Sequence, residues 1–248
     1  MITLNDKKIL ISGVGKGIGK SMLFHCLKQG AFVVGFTKSQ KDITDIKKKN
    51  FTNLILFKGD VSDQKFINYL FKYLKKRNIK LNGLINNAGI RQRKSFLKIN
   101  EKDLFEILKI NFFSVFQISQ KFINQTNKKI SSSIVNVGSI VGPIGFSELT
   151  GYASTKSALN GLTKSLSTEL KSKNYKVRVN CINPGFTKSS YFENFKKKRK
   201  LYSWTLKNIP VKRWGKPEEI SELASFLLSD NSSNISGQCI NIDGGWTK

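Results

Sequence analysis

Short apolar runs alternate with longer stretches in which apolar residues recur every three or four positions. Seven runs read as strands: Lys8-Ile9-Leu10-Ile11, Ala31-Phe32-Val33-Val34-Gly35-Phe36, Leu54-Ile55-Leu56-Phe57, Leu84-Ile85, Ile134-Val135-Asn136-Val137, Val177 to Ile182, and Cys239-Ile240-Asn241-Ile242. The stretches between them read as helices. One carries Leu23 and Leu27 and stops at Gly30. Another opens at Ser62 and Asp63 and sets Phe66, Ile67, Leu70, Phe71 and Leu74 on one face. Asn100 caps a long third helix with Leu104, Ile107, Leu108 and Phe112 on its core side. A later helix carries Leu159, Leu162, Leu166 and Leu170, and the last starts at Pro217-Glu218-Glu219 and runs through Ile220, Leu223, Leu227 and Leu228. Strict alternation of strand and helix predicts an α/β chain: one doubly wound, mostly parallel seven-stranded sheet with helices on both faces.

Composition narrows the picture. The chain has 248 residues, enough for one large domain, and no linker or internal repeat divides it, so residues 1–248 are expected to form a single unit. No apolar run approaches the ~20 residues that span a membrane. Met1-Ile2-Thr3-Leu4-Asn5-Asp6 lacks a leader pattern, and a cytoplasmic protein is expected. Cys26, Cys181 and Cys239 are far apart without metal-ligand spacing and read as buried free thiols. His25 is the only histidine, which leaves no histidine triad and no multi-histidine metal site. No metal is expected. The 43 basic residues exceed the 16 acidic ones by 27. The excess is mostly lysine, dispersed over nearly every polar face. It reads as compositional bias with weak adhesion to polyanions, not as a specific nucleic-acid surface.

Candidate chemistry collects at the strand ends. The first strand runs into Ser12-Gly13-Val14-Gly15-Lys16-Gly17-Ile18-Gly19 and then a helix. Strand, glycine turn and helix is the context of a dinucleotide site. The glycines permit close backbone approach, and the helix start presents free N–H groups to a pyrophosphate. The spacing is Gly-x-x-x-Gly-x-Gly. In NAD sites an acid near the end of the second strand binds the ribose hydroxyls. Here that end reads Phe36-Thr37-Lys38, with Lys16 in the turn. Two cations and no carboxylate favour NADP(H) over NAD(H). Asp60, beside Val61 after the third strand, either bonds the adenine edge or caps its turn. Asn86-Asn87-Ala88-Gly89 ends the fourth strand with small and amide residues suited to ligand contact. Asn111 is an unfavourable residue inside a helix, which hints at a role.

Tyr152 and Lys156 stand four apart in a helical segment, so phenol and ammonium share one face. A phenol with a reference pKa of ~10 needs about 4 kcal/mol of differential interaction to reach ~7, and a nearby cation supplies interaction of that sign. That pairing makes a general acid/base. Ser139 precedes Tyr152 across a Gly/Pro-bearing loop that can bring the two together. Asn183-Pro184-Gly185 ends the sixth strand. Residues 186–209 then read as irregular, aromatic and basic, which suits a mobile substrate lid.

With these residues assembled, the chain closely resembles the short-chain dehydrogenase/reductase family over essentially its whole length. The resemblance rests on Ser12-Gly13 with Gly17-Ile18-Gly19, Asp60, Asn86-Asn87-Ala88-Gly89, Asn111, Ser139, Tyr152, Lys156, Pro184-Gly185 and Asp243-Gly244-Gly245. Ser12 and Ser189 stand where the family more often has threonine, and each keeps the hydroxyl. The resemblance implies a Rossmann domain and hydride transfer between nicotinamide and a carbonyl carbon. It implies that Tyr152 exchanges the proton, Ser139 holds the carbonyl oxygen, and Lys156 lowers the tyrosine pKa and bonds the nicotinamide ribose. It further implies that Asn111 positions a relay water, that Pro184, Gly185 and Ser189 line the nicotinamide, and that four copies assemble through the helices of Asn111 and Tyr152. Two subgroups compete. The 3-oxoacyl-acyl-carrier-protein reductases match in length and in Gly138-Ser139-Ile140-Val141-Gly142, with Lys128, Lys129 and Lys173 available to an acidic carrier. Sugar-acid and polyol dehydrogenases match in the segment through Arg91 and Arg93, in Arg213-Trp214-Gly215-Lys216-Pro217-Glu218 and in Gly245-Trp246. A non-catalytic polyanion-binding protein on the same fold is the remaining alternative.

Overall fold

The computed structural model of the chain describes residues 3–126 and 128–248. Met1 and Ile2, part of the stretch read for a leader, lie outside them. The strands are β1 (Lys8–Ser12), β2 (Phe32–Thr37), β3 (Leu54–Lys58), β4 (Gly83–Asn86), β5 (Ser132–Val137), β6 (Val177–Pro184) and β7 (Cys239–Ile242). The helices are α1 (Gly17–Lys28), α2 (Gln40–Lys47), α3 (Gln64–Lys76), α4 (Glu101–Leu108), α5 (Ser114–Gln125), α6 (Val141–Ile144), α7 (Thr150–Ser172), α8 (Phe192–Lys196), α9 (Arg199–Asn208) and α10 (Pro217–Leu228).

The sheet order is β3-β2-β1-β4-β5-β6-β7. All pairs are parallel, so the sheet is wholly rather than mostly parallel. Strand order reverses beside β1, and the carboxyl ends of β1 and β4 diverge into the crevice where open α/β sheets bind ligands.

Strand periodicity explains the two-sided core. Ile9, Ile11, Val33, Ile85 and Val135 pack with Met22, Leu23 and Leu27 of α1 and Ile220, Ala224 and Leu227 of α10. Their strand neighbours Leu10, Val34, Leu84 and Ile134 point the other way, onto Ile67, Leu70 and Leu74 of α3, Ile118 and Phe122 of α5, and Leu170 of α7. Both faces are covered, so each strand is apolar at successive positions. A third cluster centres on Trp214, with Phe192 and Ile209.

Three expectations need correction. The helix capped by Asn100 is not continuous. Asn100 and Asp103 form a capping box, but Lys109–Phe113 is a π-helical turn between α4 and α5. The extra residue shifts the buried face to Ile107, Ile110, Val115 and Ile118, and leaves Leu104 exposed. Residues 186–209 are not irregular, because α8 and α9 form there on the Trp214 cluster. Cys26 and Cys181 are buried free thiols, whereas Cys239 is only half-buried.

Candidate active site

The glycine turn between β1 and α1 has little room for side chains. Gly13 has φ +74°, and a Cβ there would meet the Ala88 Cα at 2.9 Å. A Cβ on Gly19 would meet the Gly13 carbonyl oxygen at 2.2 Å and Asn87 Nδ2 at 2.3 Å. Gly17, where α1 begins, has φ +52°. Lys16 at the N-cap supplies no side-chain cap, and no acid sits in the first turn. The N–H groups at this helix start therefore face the cleft without a side-chain acceptor.

Ser12 ties the turn to the next strand. Its Oγ accepts from the N–H groups of Asn87 at 3.0 Å and Ala88 at 3.1 Å. Asn87 Nδ2 donates to the carbonyls of Ser12 and Gly13 at 3.0 and 3.1 Å. Glycine turn and β4 end thus form one rigid unit.

The residues expected to handle the proton stand just after β5 and on α7. Ser139 follows β5 and is nearly buried, and its N–H donates to Asn183 Oδ1 on β6 at 3.2 Å. Its Oγ accepts from the Val141 N–H at 3.1 Å, and its hydroxyl lies near enough to the Tyr152 phenol to favour the phenolate. One turn along α7, buried Lys156 lies with its Nζ 5.8 Å from the Tyr152 ring centre. That Nζ donates to the Val137 carbonyl at 2.7 Å. A buried amide chain holds α7 to the sheet: Asn86 Nδ2 donates to Asn136 Oδ1 at 2.9 Å, and Asn136 Nδ2 to Thr163 Oγ1 at 3.0 Å.

Desolvation governs both titrating groups. Burial lowers the Lys156 ammonium to about 8, against a smaller upward pull from Cys181. Burial raises the Tyr152 phenol above its ordinary value, outweighing the Ser139 hydrogen bond and the positive charge of Arg91. The net shift of the phenol is therefore upward, opposite to the downward shift expected from a neighbouring cation alone. Burial pushes each group toward its neutral form, and the ammonium gives one of its three donors to the Val137 carbonyl.

Asn111, in the π-helical turn, is fully buried. Its Nδ2 donates to the Ile90 carbonyl at 2.9 Å and to Thr155 Oγ1 at 3.2 Å, while its Oδ1 accepts from the Ile90 N–H at 2.8 Å. Both side-chain donors are thus spent on protein, and the residue braces the loop after β4 against α7.

One cleft of about 550 Å³ connects these parts. Of the expected cofactor residues, Gly13, Gly15, Lys16, Gly17, Ile18, Gly19, Thr37, Lys38, Val61, Asn87, Ala88, Gly89, Tyr152, Lys156, Pro184, Gly185 and Ser189 line it, as does Ser139. Ser12, Asp60 and Asn111 do not reach its wall. Asp60 caps its own turn, accepting from the Ser62 N–H and Oγ at 2.9 Å each. It also pairs with Lys38 at 2.7 Å. Burial alone would raise the Asp60 carboxyl, but Lys38 and Ser62 hold it below its ordinary value. Arg91, Phe146, Tyr191 and Asp42 also line the cleft. Asp42 lies beyond the end of β2, where an acid that binds the ribose is ordinarily placed, in the first turn of α2. The Ser39-x-x-Asp42 helix-start pattern was the available signal, and Ser39 Oγ does accept from the Asp42 N–H at 3.2 Å.

The cleft runs from the glycine turn and the end of β2 to Tyr152, Lys156 and Pro184-Gly185. The Cβ-intolerant glycine turn and the helix start would hold the pyrophosphate of a dinucleotide, and Tyr152, Lys156 and Pro184-Gly185 would surround its nicotinamide end.

A family model described as enoyl-(acyl carrier protein) reductase matches residues 13–247. The 3-oxoacyl-[acyl-carrier-protein] reductase FabG of Thermotoga maritima is 32% identical, with 98% of each chain covered. A tropinone reductase homolog of Arabidopsis thaliana is 32% identical, covering 99% of this chain and 94% of its own. Among solved structures, a candidate NAD(P)-dependent gluconate 5-dehydrogenase from Beutenbergia cavernae, with NADP at low occupancy, superposes with a TM-score of 0.90 at 25% identity, covering 99% of this chain and 98% of its own. Sequence, fold and cleft together place the chain in the short-chain dehydrogenase/reductase family, as an oxidoreductase that works between CH–OH and C=O with NAD(P).

Proposed function

We propose that the protein is an NADP(H)-preferring reductase of 3-oxoacyl thioesters. The observation that carries this reading is end-to-end similarity, at 32% identity, to the 3-oxoacyl-[acyl-carrier-protein] reductase of Thermotoga maritima. The geometry supports it at both ends of the cleft. Phe146, Leu149, Phe186 and Tyr191 give the wall beside Tyr152 an apolar character that suits an acyl chain. Lys16 and Lys38 line the adenosine end, where a 2′-phosphate would meet positive charge.

When bound, the nicotinamide cofactor supplies or accepts the hydride. The protein holds the substrate carbonyl against Ser139, whose hydroxyl donates to the oxygen as negative charge grows there. Tyr152 delivers its proton to that oxygen, and its raised pKa keeps it protonated for the purpose. The Lys156 ammonium stabilises the phenolate left behind. Phe186 to Tyr191, leading into α8 and α9, covers the substrate side as a lid.

A second reading, a sugar-acid dehydrogenase, is favoured by Arg91. This guanidinium lines the cleft, sits 5.3 Å from the Tyr191 ring centre, and has no carboxylate partner among the described residues. It suits a substrate carboxylate. Arg93 does not compete for that role, because it is paired with Glu148 at 2.8 Å. Residues expected to greet an acidic carrier are partly engaged within the chain: Lys128 lies 4.7 Å from the Tyr175 ring centre, and Lys173 pairs with Glu169.

Oxidation of NADPH followed at 340 nm, with an acetoacetyl thioester in one series and 5-keto-gluconate in another, separates the readings. Thioester turnover is expected. Turnover of the keto acid alone would move the protein to the sugar-acid group.

A further inference from the structure

The adenosine end of the cleft holds a carboxylate that the strand-end pattern does not reveal. Asp42 stands in the first turn of α2, which folds back over the end of β2. A Cβ built on Gly15 would lie 2.4 Å from Asp42 Oδ2 and 2.7 Å from Thr37 Oγ1. The two oxygens therefore converge on one point above the glycine turn, inside the cleft wall. Gly15 is the residue that leaves them room.

The neighbouring charges are distributed unevenly. Lys38 lines the cleft but is paired with Asp60 at 2.7 Å. No hydrogen bond or ion pair ends on the Asp42 carboxylate among the described residues. Asp42 is half-buried and carries an unspent pair of acceptor oxygens. An ionised carboxylate only accepts, and two vicinal hydroxyls are the donors that match it.

We propose that Asp42, helped by Thr37, recognises the free 2′,3′-diol of an adenosine ribose and thereby limits the preference for a 2′-phosphate. This rests on the cofactor reading of the cleft, and it separates the two opposing influences there. Lys16 and Lys38 attract a 2′-phosphate, and Asp42 repels it. The wild-type protein thus binds both cofactor forms, and Asp42 sets how far apart they stand. The acid belongs to the first turn of a helix instead of the strand end where such an acid is ordinarily sought.

The test is calorimetric binding to the purified full-length chain, with 2′,5′-ADP and 5′-AMP as probes and NADPH and NADH as full ligands. In Asp42→Asn, 5′-AMP and NADH are expected to bind about tenfold more weakly, since bonds to a charged acceptor are lost. The 2′-phosphorylated ligands are expected to bind as well as before or more tightly. The ratio of the two affinities moves by tenfold or more. Thr37→Val, which keeps the charge, should weaken 5′-AMP by a smaller factor and leave 2′,5′-ADP closer to wild type. An unchanged ratio in Asp42→Asn, or an equal loss for both ligand types, would overturn the proposal. Wild-type preference for NADH would refute the NADP(H) preference alone, because the shift in ratio on substitution is read independently of where the ratio starts.

Discussion

Tyr152 and Lys156 are pushed toward neutrality from opposite sides, and that sets the direction of the pH dependence. Lys156 is lowered to about 8, so it is charged below that pH and neutral above it. Tyr152 is raised and stays protonated across the same interval. The rate of carbonyl reduction should therefore fall as pH rises through about 8, because the forming phenolate loses its ammonium partner. Lys156→Arg keeps a charge that does not titrate in this range, so any remaining activity should lose that alkaline limb. A wild-type profile flat from pH 7 to 9.5 would contradict this role of Lys156. Ser139, Tyr152 and Lys156 were legible in the sequence because helical spacing puts two of them on one face and a single loop returns the third. Asp42 was not legible, since its place in the cleft depends on how α2 turns back over β2. The direction of the Tyr152 shift was also beyond sequence: spacing places a cation nearby but says nothing of desolvation, which here is larger.

At the scale of elements, the seven strands were readable because apolar runs bounded by Gly, Asn and Asp have few other fates. The π-helical turn was not readable. A single inserted residue shifts the apolar period without any residue type to mark it, and only Asn111 hinted at an irregularity. The region 186–209 hid two helices because its aromatic residues pack around a tryptophan outside it. Trp214 is fully buried, its Nε1 donates to Thr205 Oγ1 at 2.8 Å, and the rings of Phe195, Phe192 and Phe186 centre 4.8, 5.1 and 5.2 Å away. Trp214→Ala should cost about 3–5 kcal/mol in urea unfolding, through the cavity it leaves. It should also raise KM more than it lowers kcat, since Phe186 and Tyr191 reach from this cluster to the cleft. A loss below about 1 kcal/mol would show that the cluster does not anchor the lid.

At the scale of the whole molecule, no helix among the described residues is long and apolar enough to cross a membrane. Several large apolar side chains are exposed on neighbouring elements. Leu104, Phe105, Phe113 and Phe116 stand 39%, 58%, 49% and 47% exposed along α4, the π-helical turn and α5. We propose that copies of the chain pack there as a tetramer. Light scattering after size exclusion should give about four times the 28.0 kDa of one chain. Phe113→Glu with Phe116→Glu should reduce that mass, and a monomeric wild type would refute the assembly. The net charge of +27 was plain from composition, but the shape of the exposed apolar face was not. It emerged only when the π-helical turn set which side of α4 and α5 faces the core.

In the proposed reaction Tyr152 hands a proton to a carbonyl oxygen while the bound cofactor is oxidised. The most direct test of this transfer is NADPH consumption with an acetoacetyl thioester by wild-type protein and by Tyr152→Phe, with NADPH binding to each measured calorimetrically. Phenylalanine keeps the ring and removes only the hydroxyl. The expected result is steady turnover by the wild type and a loss of about a hundredfold or more in the variant, with NADPH bound nearly as well by both. Equal turnover by the two proteins would contradict the claim and pass the proton transfer to another group.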